Sequence, residues 1–498
     1  MLDFFNPLQF SAIISPMLLI AVINFSFMVF VIFVQRRNTA ATWAWVVAMA
    51  LVPVGGFVVY MIVGQDSRKQ KVFLHKSEQD EELLAEYQRL GLGANEGEAT
   101  YDNRVTLYHD GITKFDALLD DIANAKDYIF VQYYILRGDP AGAQLIDALA
   151  RRAKGGLTVR LLIDGMGCSA TPKDMYKPLL EAGGQMAVFL PPVPVRINFR
   201  NHRKIVVIDG NVAYLGGSNI GVEYLGMSER FGNWKDSHMR LTGSAVAPLT
   251  LRFIMDWNFS AEKTLKRRLF PKLRTHRRFI TDMKKTTTIM TTCDMEKALT
   301  FDGHYLNPDN TATTPTGAKI KIISSGPDTQ YPYVLHEFCR MIIEAKKSIY
   351  IQSPYFVPDE ALFTALRIAA LSGVDVRIMY PANPDHPFVY WAGSSYVGEL
   401  MCAGVKGYEY TNGFIHSKTI MIDSKVCAIG TANMDVRSFK INFETHAFID
   451  DVAITAELEK TFRRDMDDCR HLSLEGYNKR RTMVKIKESI SRLFSPLI

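Results

Sequence analysis

The sequence predicts an α/β chain: two tandem domains, each a mixed sheet flanked by helices, related by a pseudo-twofold and preceded by two transmembrane helices. Three observations carry this. One pattern is written twice, His202-Arg203-Lys204, Asp209, Gly216-Gly217-Ser218-Asn219, and His416-Ser417-Lys418, Asp423, Gly430-Thr431-Ala432-Asn433. Both copies read H-x-K-x4-D-x6-G-[GT]-x-N without a gap. The repeat also extends outward: IANAKDYIFVQYYIL (122–136) aligns with IIEAKKSIYIQSPYF (342–356), and LIDALARRAKGGLTVRLLID (145–164) with LFTALRIAALSGVDVRIMYP (362–381). Each unit therefore runs strand, helix, strand, then the H-x-K strand, with β-rich apolar runs. Third, two uncharged apolar runs stand at the amino terminus.

Taken in order, residues 1–64 form the two-helix transmembrane segment. Run 12–34 carries no charge, and run 41–63 has Trp43, Trp45 and Tyr60 near its ends, where interfacial aromatics belong. Pro53, Gly55 and Gly56 can bend the second helix. Arg36 and Arg37 lie between the runs, against Arg68, Lys69, Lys71 and Lys76 after them, which favours a cytoplasmic catalytic body. The six cysteines show neither C-x2-C spacing nor a metal-ligand cluster with His, so they read as reduced thiols, in line with that orientation. Residues 65–102 are a polar linker with one helix, 103–260 the first repeat domain and 316–470 the second. Between them, 261–315 is a basic connector whose stretch 263–285 holds ten Lys/Arg against one acid, Asp282. Such a run on a chain of net charge +6 suits a docking patch for anionic lipid, with nucleic acid as the rival partner. The tail, 471–498, mixes basic residues with Ile486, Ile490, Leu493, Phe494 and Leu497 at helical spacing, so it either lies in a membrane interface or packs on the body.

The motif spacing has a chemical reading. Side chains alternate along a strand, so His and Lys two residues apart share a face. Two copies brought together put two imidazoles (His202, His416) on opposite sides of one phosphate. Lys204, Lys418, Asn219 and Asn433 would bind its non-bridging oxygens, and Ser218 and Thr431 would add donors in turns small enough for close approach. One imidazole can be nucleophile and the other acid and base. Asp209 and Asp423, at the far ends of their strands, read on spacing alone as structural. Asp236 and Glu444 follow the motifs and are the acids to orient the imidazoles. Neither motif offers a carboxylate cluster for Mg²⁺, and no G-x4-G-K-[ST] is present, so no metal and no cofactor is expected.

These residues resemble the HKD motif of the phospholipase D superfamily. The stretches NHRKIVVIDG (201–210), IQSPYFVPDE (351–360), GFIHSKTIMID (413–423) and GTANMDVRSF (430–439) are similar in particular to the bacterial cardiolipin synthase branch, and the likeness covers nearly the whole chain. One departure is Val222, where the family often has an acid; Glu223 remains. The resemblance implies a catalytic set of His202, Lys204, Asp209, His416, Lys418 and Asp423. It further implies a membrane phosphatidyltransferase that makes cardiolipin and glycerol from two phosphatidylglycerols through a phosphohistidine, acting on anionic phospholipid and not on nucleic acid. The sequence leaves open a hydrolytic phospholipase D, an HKD nuclease and a non-catalytic lipid-binding scaffold.

Overall fold

A computed structural model describes residues 7–33, 39–52, 54–56, 60, 66–190, 198–266, 286–301, 304–305 and 317–494. These divide into two compact units, residues 1–75 with 192–198, and residues 76–191 with 199–496. Most of the basic stretch 263–285, and Leu497 of the tail, lie outside the described residues.

In the first unit both apolar runs begin as helices, Pro7–Phe33 and Thr39–Leu51. Trp45, Met49 and Tyr60 form a small core with Phe27 and Met28, and Asn24 Nδ2 donates to the Met49 carbonyl (2.8 Å). The two expected transmembrane helices are corrected here: among the described residues no helix is long and apolar enough to cross a membrane. The second helix has 13 residues, about 20 Å of rise against a hydrocarbon core of ~30 Å. It ends at Leu51, and residues 54–56 are again helical, with Gly56 N donating to Val52 O (2.6 Å).

The second unit holds both repeats in one 16-stranded sheet. The first repeat runs from Gln185–Phe189 through Thr158–Asp164, Tyr128–Tyr133, Ile205–Ile208, Val212–Gly216 and Trp234–Thr242 to Ala99–Asp110. The second mirrors it, from Lys406–Tyr410 through Asp375–Pro381, Ser348–Gln352, Thr419–Ile422, Val426–Gly430 and Glu444–Asp450 to Ala318–Ser325. The two inner strands pair antiparallel (Ala99 opposite Lys321, Asn103 opposite Ala318), joining the repeats about a pseudo-twofold. The α/β fold and its two repeats are thus as the sequence predicts. The H-x-K strands themselves are not neighbours; six strands separate them along the sheet.

Local chemistry explains the elements. Both H-x-K strands are buried along their whole length, which suits the continuous apolar runs IVVI and TIMI. Helices start where side chains cap them: Asp110 accepts from Thr113 N, Asp139 from Gly142 N ahead of Pro140, Asp359 from Ala361 N, and Asp451 from Ile454 N. Each repeat closes its own core, around Leu118, Ile129 and Leu161 in one and Phe338, Ile349 and Ile378 in the other.

One charged cluster lies deep in this unit. Lys76, counted above among the basic residues flanking the apolar runs, is fully buried on the helix Asp66–Leu90. Its ammonium meets Asp80 (2.5 Å), Asp328 (2.9 Å) and Asp256 (3.3 Å). Burial pulls its pKa down, yet the three carboxylates outweigh that and hold it above the ordinary lysine value. Asp256 in turn accepts from Arg203, Gln132 and Asn201. Lys76→Met leaves buried carboxylates without their cation and is expected to cost about 3–5 kcal/mol of stability. Denaturant unfolding followed by tryptophan fluorescence checks this, and an unchanged midpoint would contradict the cluster.

Candidate active site

The two motifs meet through the segments that precede each His. Phe414–Ile415 pairs parallel with Trp234 and Lys235, and Asn201 bridges Phe443 in the same sense. The backbone bonds match: His416 N donates to Lys235 O (2.6 Å) and His202 N to Phe443 O (3.0 Å). Gly413 makes the first pairing possible. Its φ is +100°, and a Cβ there would lie 2.0 Å from Asn233 O.

This register decides which acid serves which imidazole. One residue beyond Lys235 is Asp236, and one beyond Phe443 is Glu444. The result is a crossed arrangement: His202 Nδ1–H donates to Glu444 (3.0 and 3.1 Å to its two oxygens), and His416 Nδ1–H to Asp236 Oδ2 (2.7 Å). A carboxylate acceptor fixes the proton on Nδ1 and leaves Nε2 with a lone pair. The acids are themselves held. Thr431 Oγ1 and Asn442 Nδ2 donate to Glu444 (2.5 and 3.1 Å), and Ser237 N donates to Asp236 Oδ1 (2.8 Å). Gly217, at the position matching Thr431, has no side chain because a Cβ would lie 2.1 Å from Asp236 Oδ1.

Lys204 and Lys418 donate to the carbonyls of His202 and His416 (2.7 and 2.6 Å), which keeps each ammonium beside its own imidazole. Burial lowers Lys204 well below its ordinary value and Lys418 to about 8, with Asp236 and Glu444 opposing. Burial takes His202 down to about 4 against the pull of Glu444. His416 is also lowered, by burial and then by Lys418. Burial pushes Glu444 and Asp236 up, but their imidazole and lysine neighbours outweigh it and hold both below the carboxylate range. These lowered values favour a neutral imidazole backed by a carboxylate, the form suited to nucleophilic attack.

Both imidazoles line a cavity of about 810 Å³, together with Asn219, Asn433, Tyr134, Trp234, Arg200 and Arg437. Tyr134 stands edge-on to His202 (4.9 Å between centroids) and Trp234 lies against His416 (5.1 Å). Asn219 Oδ1 accepts from Ile135 N (3.1 Å). Asn433 Oδ1 is buried without a partner, a polar atom available to a ligand. Ser218 is buried, and Thr431 serves Glu444.

Asp209 and Asp423 do not reach this centre. Each sits in the left-handed region (φ 52° and 56°) at the end of its strand and accepts from three consecutive backbone N–H groups, of Lys126, Asp127 and Tyr128 and of Lys346, Lys347 and Ser348. They fix the turn into the adjacent strand.

Sequence reasoning missed Arg203, the middle residue of the first motif. Its guanidinium is fully buried and donates to Asp256 (2.6 Å), Thr445 Oγ1 (3.0 Å) and Glu444 O (3.3 Å), tying the first motif to the second repeat. Ser417 holds the matching place and accepts from Ser237 Oγ (3.1 Å). A signal was present: Gln132 and Gln352 align in the repeat, and each is a buried amide that donates to a carboxylate, Asp256 (2.8 Å) or Asp465 (2.9 Å).

Comparison with known proteins agrees with this geometry. The chain matches the family described as "Cardiolipin synthase, PLD-like domain" over residues 118–229 and 338–466, and "Phospholipase D-nuclease N-terminal" over 22–65. It is 40% identical to the major cardiolipin synthase ClsA of Bacillus subtilis, over 96% of this chain and 98% of that one. It is 39% identical to a cardiolipin synthase of Listeria monocytogenes, over 97% and 98%. Among solved structures, the phosphatidylserine synthase of Haemophilus influenzae shares the fold, with a TM-score of 0.59 at 18% identity, covering 84% of this chain and all of that one.

Proposed function

Because this chain belongs to the cardiolipin synthase family of phospholipase D-like proteins, we propose that it joins two phosphatidylglycerols into cardiolipin, releasing glycerol. The observation that carries this reading is the pair of imidazoles on one cavity, each backed by a carboxylate from the opposite repeat. One Nε2 attacks the phosphorus of the donor lipid while the other imidazole, carrying a proton on both nitrogens, gives its Nε2 proton to the leaving glycerol oxygen, which leaves a phosphohistidine and a neutral second imidazole. The second imidazole then takes the proton of the acceptor's glycerol hydroxyl as its oxygen displaces the histidine. Lys204 and Lys418 face the charge that develops on the non-bridging oxygens, and Asn219 and Asn433 position the phosphate. A phosphodiester is exchanged for a phosphodiester, so the reaction needs no nucleotide.

The substrate sits in a bilayer, and we infer that the body works against one. The helix Thr482–Phe494 supports this. Its polar side packs inward, with Glu488 and Ser491 buried and Arg492 bonded to Glu399 (2.5 Å) on the helix Pro387–Met401, which also lines the cavity. Met483, Ile486, Ile490 and Leu493 are 63%, 45%, 47% and 69% exposed, an apolar stripe turned outward and flanked by Lys485 and Lys487. Cys168, Cys339, Cys402, Cys427 and Cys469 are free thiols, in keeping with a cytoplasmic body.

The test is the purified full chain on phosphatidylglycerol vesicles. Cardiolipin and glycerol are expected in equal amounts; phosphatidic acid without cardiolipin would overturn the reading in favour of hydrolysis.

A further inference from the structure

Among the described residues lining the active-site cavity, three side-chain oxygens are buried without a hydrogen-bond partner: Asp385 Oδ1, Asn433 Oδ1 and Asn442 Oδ1. All three are acceptors. A phosphodiester carries no proton and offers only acceptors of its own, so the donor phosphate cannot satisfy them. The hydroxyls of a glycerol head group can. Asn442 is fixed by donation from its Nδ2 to Glu444 (3.1 Å), which turns its oxygen to the cavity. Asp385 accepts from the Tyr355 hydroxyl through Oδ2, and His386 Nε2 stands 3.7 Å from that same oxygen, beyond hydrogen-bond reach. Burial, and then Asp385 beside it, raise the Tyr355 pKa, so the phenol keeps its proton and is the donor in this bond.

These acceptors all belong to the second repeat, and the first repeat has no equivalent of them. Tyr355 aligns with Ile135, and Asn442, two residues before Glu444, with Trp234, two before Asp236. Asn219, the counterpart of Asn433, has its Oδ1 occupied by Ile135 N (3.1 Å). Trp234 lies against His416, and its own unpartnered group is a donor, Nε1. Asp385 stands in the loop between the strand Asp375–Pro381 and the helix Pro387–Met401. The matching strand of the first repeat ends in Asp164, whose oxygens are engaged by the N–H groups of Met166, Gly167 and Asn201. The catalytic residues are matched across the two repeats, but the acceptors that await a donor are on one side. A carboxylate there repels a phosphate and draws hydroxyls.

We propose that Asp385, positioned by Tyr355, and Asn442 form a subsite that receives the hydroxyls of the glycerol head group and so selects polyol head groups. This rests on the transferase reading above. In an in-line exchange the oxygen that leaves and the oxygen that later attacks both lie opposite the histidine nitrogen on phosphorus, so one subsite serves the glycerol that departs and the acceptor's glycerol that follows it. In the second step the phosphorus–nitrogen bond breaks, the new phosphorus–oxygen bond forms, and the proton of the attacking hydroxyl passes to the other imidazole. The neighbouring hydroxyl of the same glycerol donates to Asp385. An alcohol without that second hydroxyl leaves the carboxylate unpaired, which is the basis of discrimination.

A competition on the full chain in detergent micelles tests this. Phosphatidylglycerol is supplied with equal concentrations of labelled glycerol and labelled n-propanol, and the label entering each lipid is measured at early times. Both alcohols capture the same phosphohistidine, so the ratio of labelled phosphatidylglycerol to labelled phosphatidylpropanol reads head-group selection apart from the rate at which the intermediate forms. The wild-type chain is expected to favour glycerol about 10- to 100-fold, and Asp385→Asn to lower the ratio about tenfold, the loss of a charge-assisted hydrogen bond. Tyr355→Phe, which keeps the carboxylate, should lower it less, and it decides the matter if Asp385→Asn yields no active protein. A ratio unchanged in the variants, whatever their total activity, would assign Asp385 to folding, and a wild-type ratio at the statistical value would show that the cavity does not read hydroxyls; either overturns the proposal. Preferential capture of labelled ethanolamine over glycerol would make Asp385 an ammonium site and overturn it too. Phosphatidic acid with no label in either lipid would instead overturn the transferase reading, and the proposal with it.

Discussion

Replacing His202 or His416 by Ala is expected to lower cardiolipin formation by at least ~10⁴-fold, because a nucleophile and its acid–base partner act as a unit. The two losses differ in kind. Without the nucleophile no covalent intermediate forms. Without the other imidazole, attack on a phosphodiester with a good leaving group, such as a nitrophenolate, needs no general acid, and the phosphohistidine should accumulate for want of a base. Labelled-phosphate trapping therefore identifies the nucleophile: one single variant should trap label and the other should not. The double variant should neither turn over nor trap. Turnover that survived in it would remove both imidazoles from the mechanism.

What the sequence revealed follows from distance along the chain. A His and a Lys two residues apart on a strand must share a face, so the H-x-K pairs were legible, as were the repeat and the α/β class. Asp209 and Asp423 read as structural from spacing alone, and the bonds they accept lie at the strand ends. The crossed pairing was not legible. His202 and Glu444 are 242 residues apart and His416 and Asp236 are 180 apart. Only the parallel register of Phe414–Ile415 on Trp234–Lys235, and of Asn201 on Phe443, brings each acid to the other repeat's imidazole. Lys76 misled for a similar reason: a lysine after an apolar run reads as a flanking charge until Asp80, Asp256 and Asp328 close around it. The apolar runs misled in another way, since hydropathy counts residues and takes no account of where a helix stops; the second one ends at Leu51.

The crossed pairing makes the second large prediction. Asp236→Asn and Glu444→Gln keep the shape of each acid but remove the charge that holds Nδ1 protonated and stabilises the imidazolium. In the Ser-His-Asp arrangement the equivalent change costs about 10⁴ in kcat, and a loss of ~10³–10⁴ is expected for each variant here. Each loss should fall on the imidazole of the opposite motif. Asp236→Asn should reproduce the trapping behaviour of the His416 variant, although Asp236 follows His202 in sequence, and Glu444→Gln should reproduce that of His202. Thr431→Val, which removes one bond to Glu444, should shift the same step as Glu444→Gln by a smaller amount, about tenfold for a hydrogen bond to a charged group. If Asp236→Asn instead behaved like the His202 variant, the acids would serve their own motifs and the register found at Phe443 and Lys235 would be wrong. Should the crossed pattern appear, neither repeat can be active without the other, because each supplies the acid that makes its partner's histidine a catalyst.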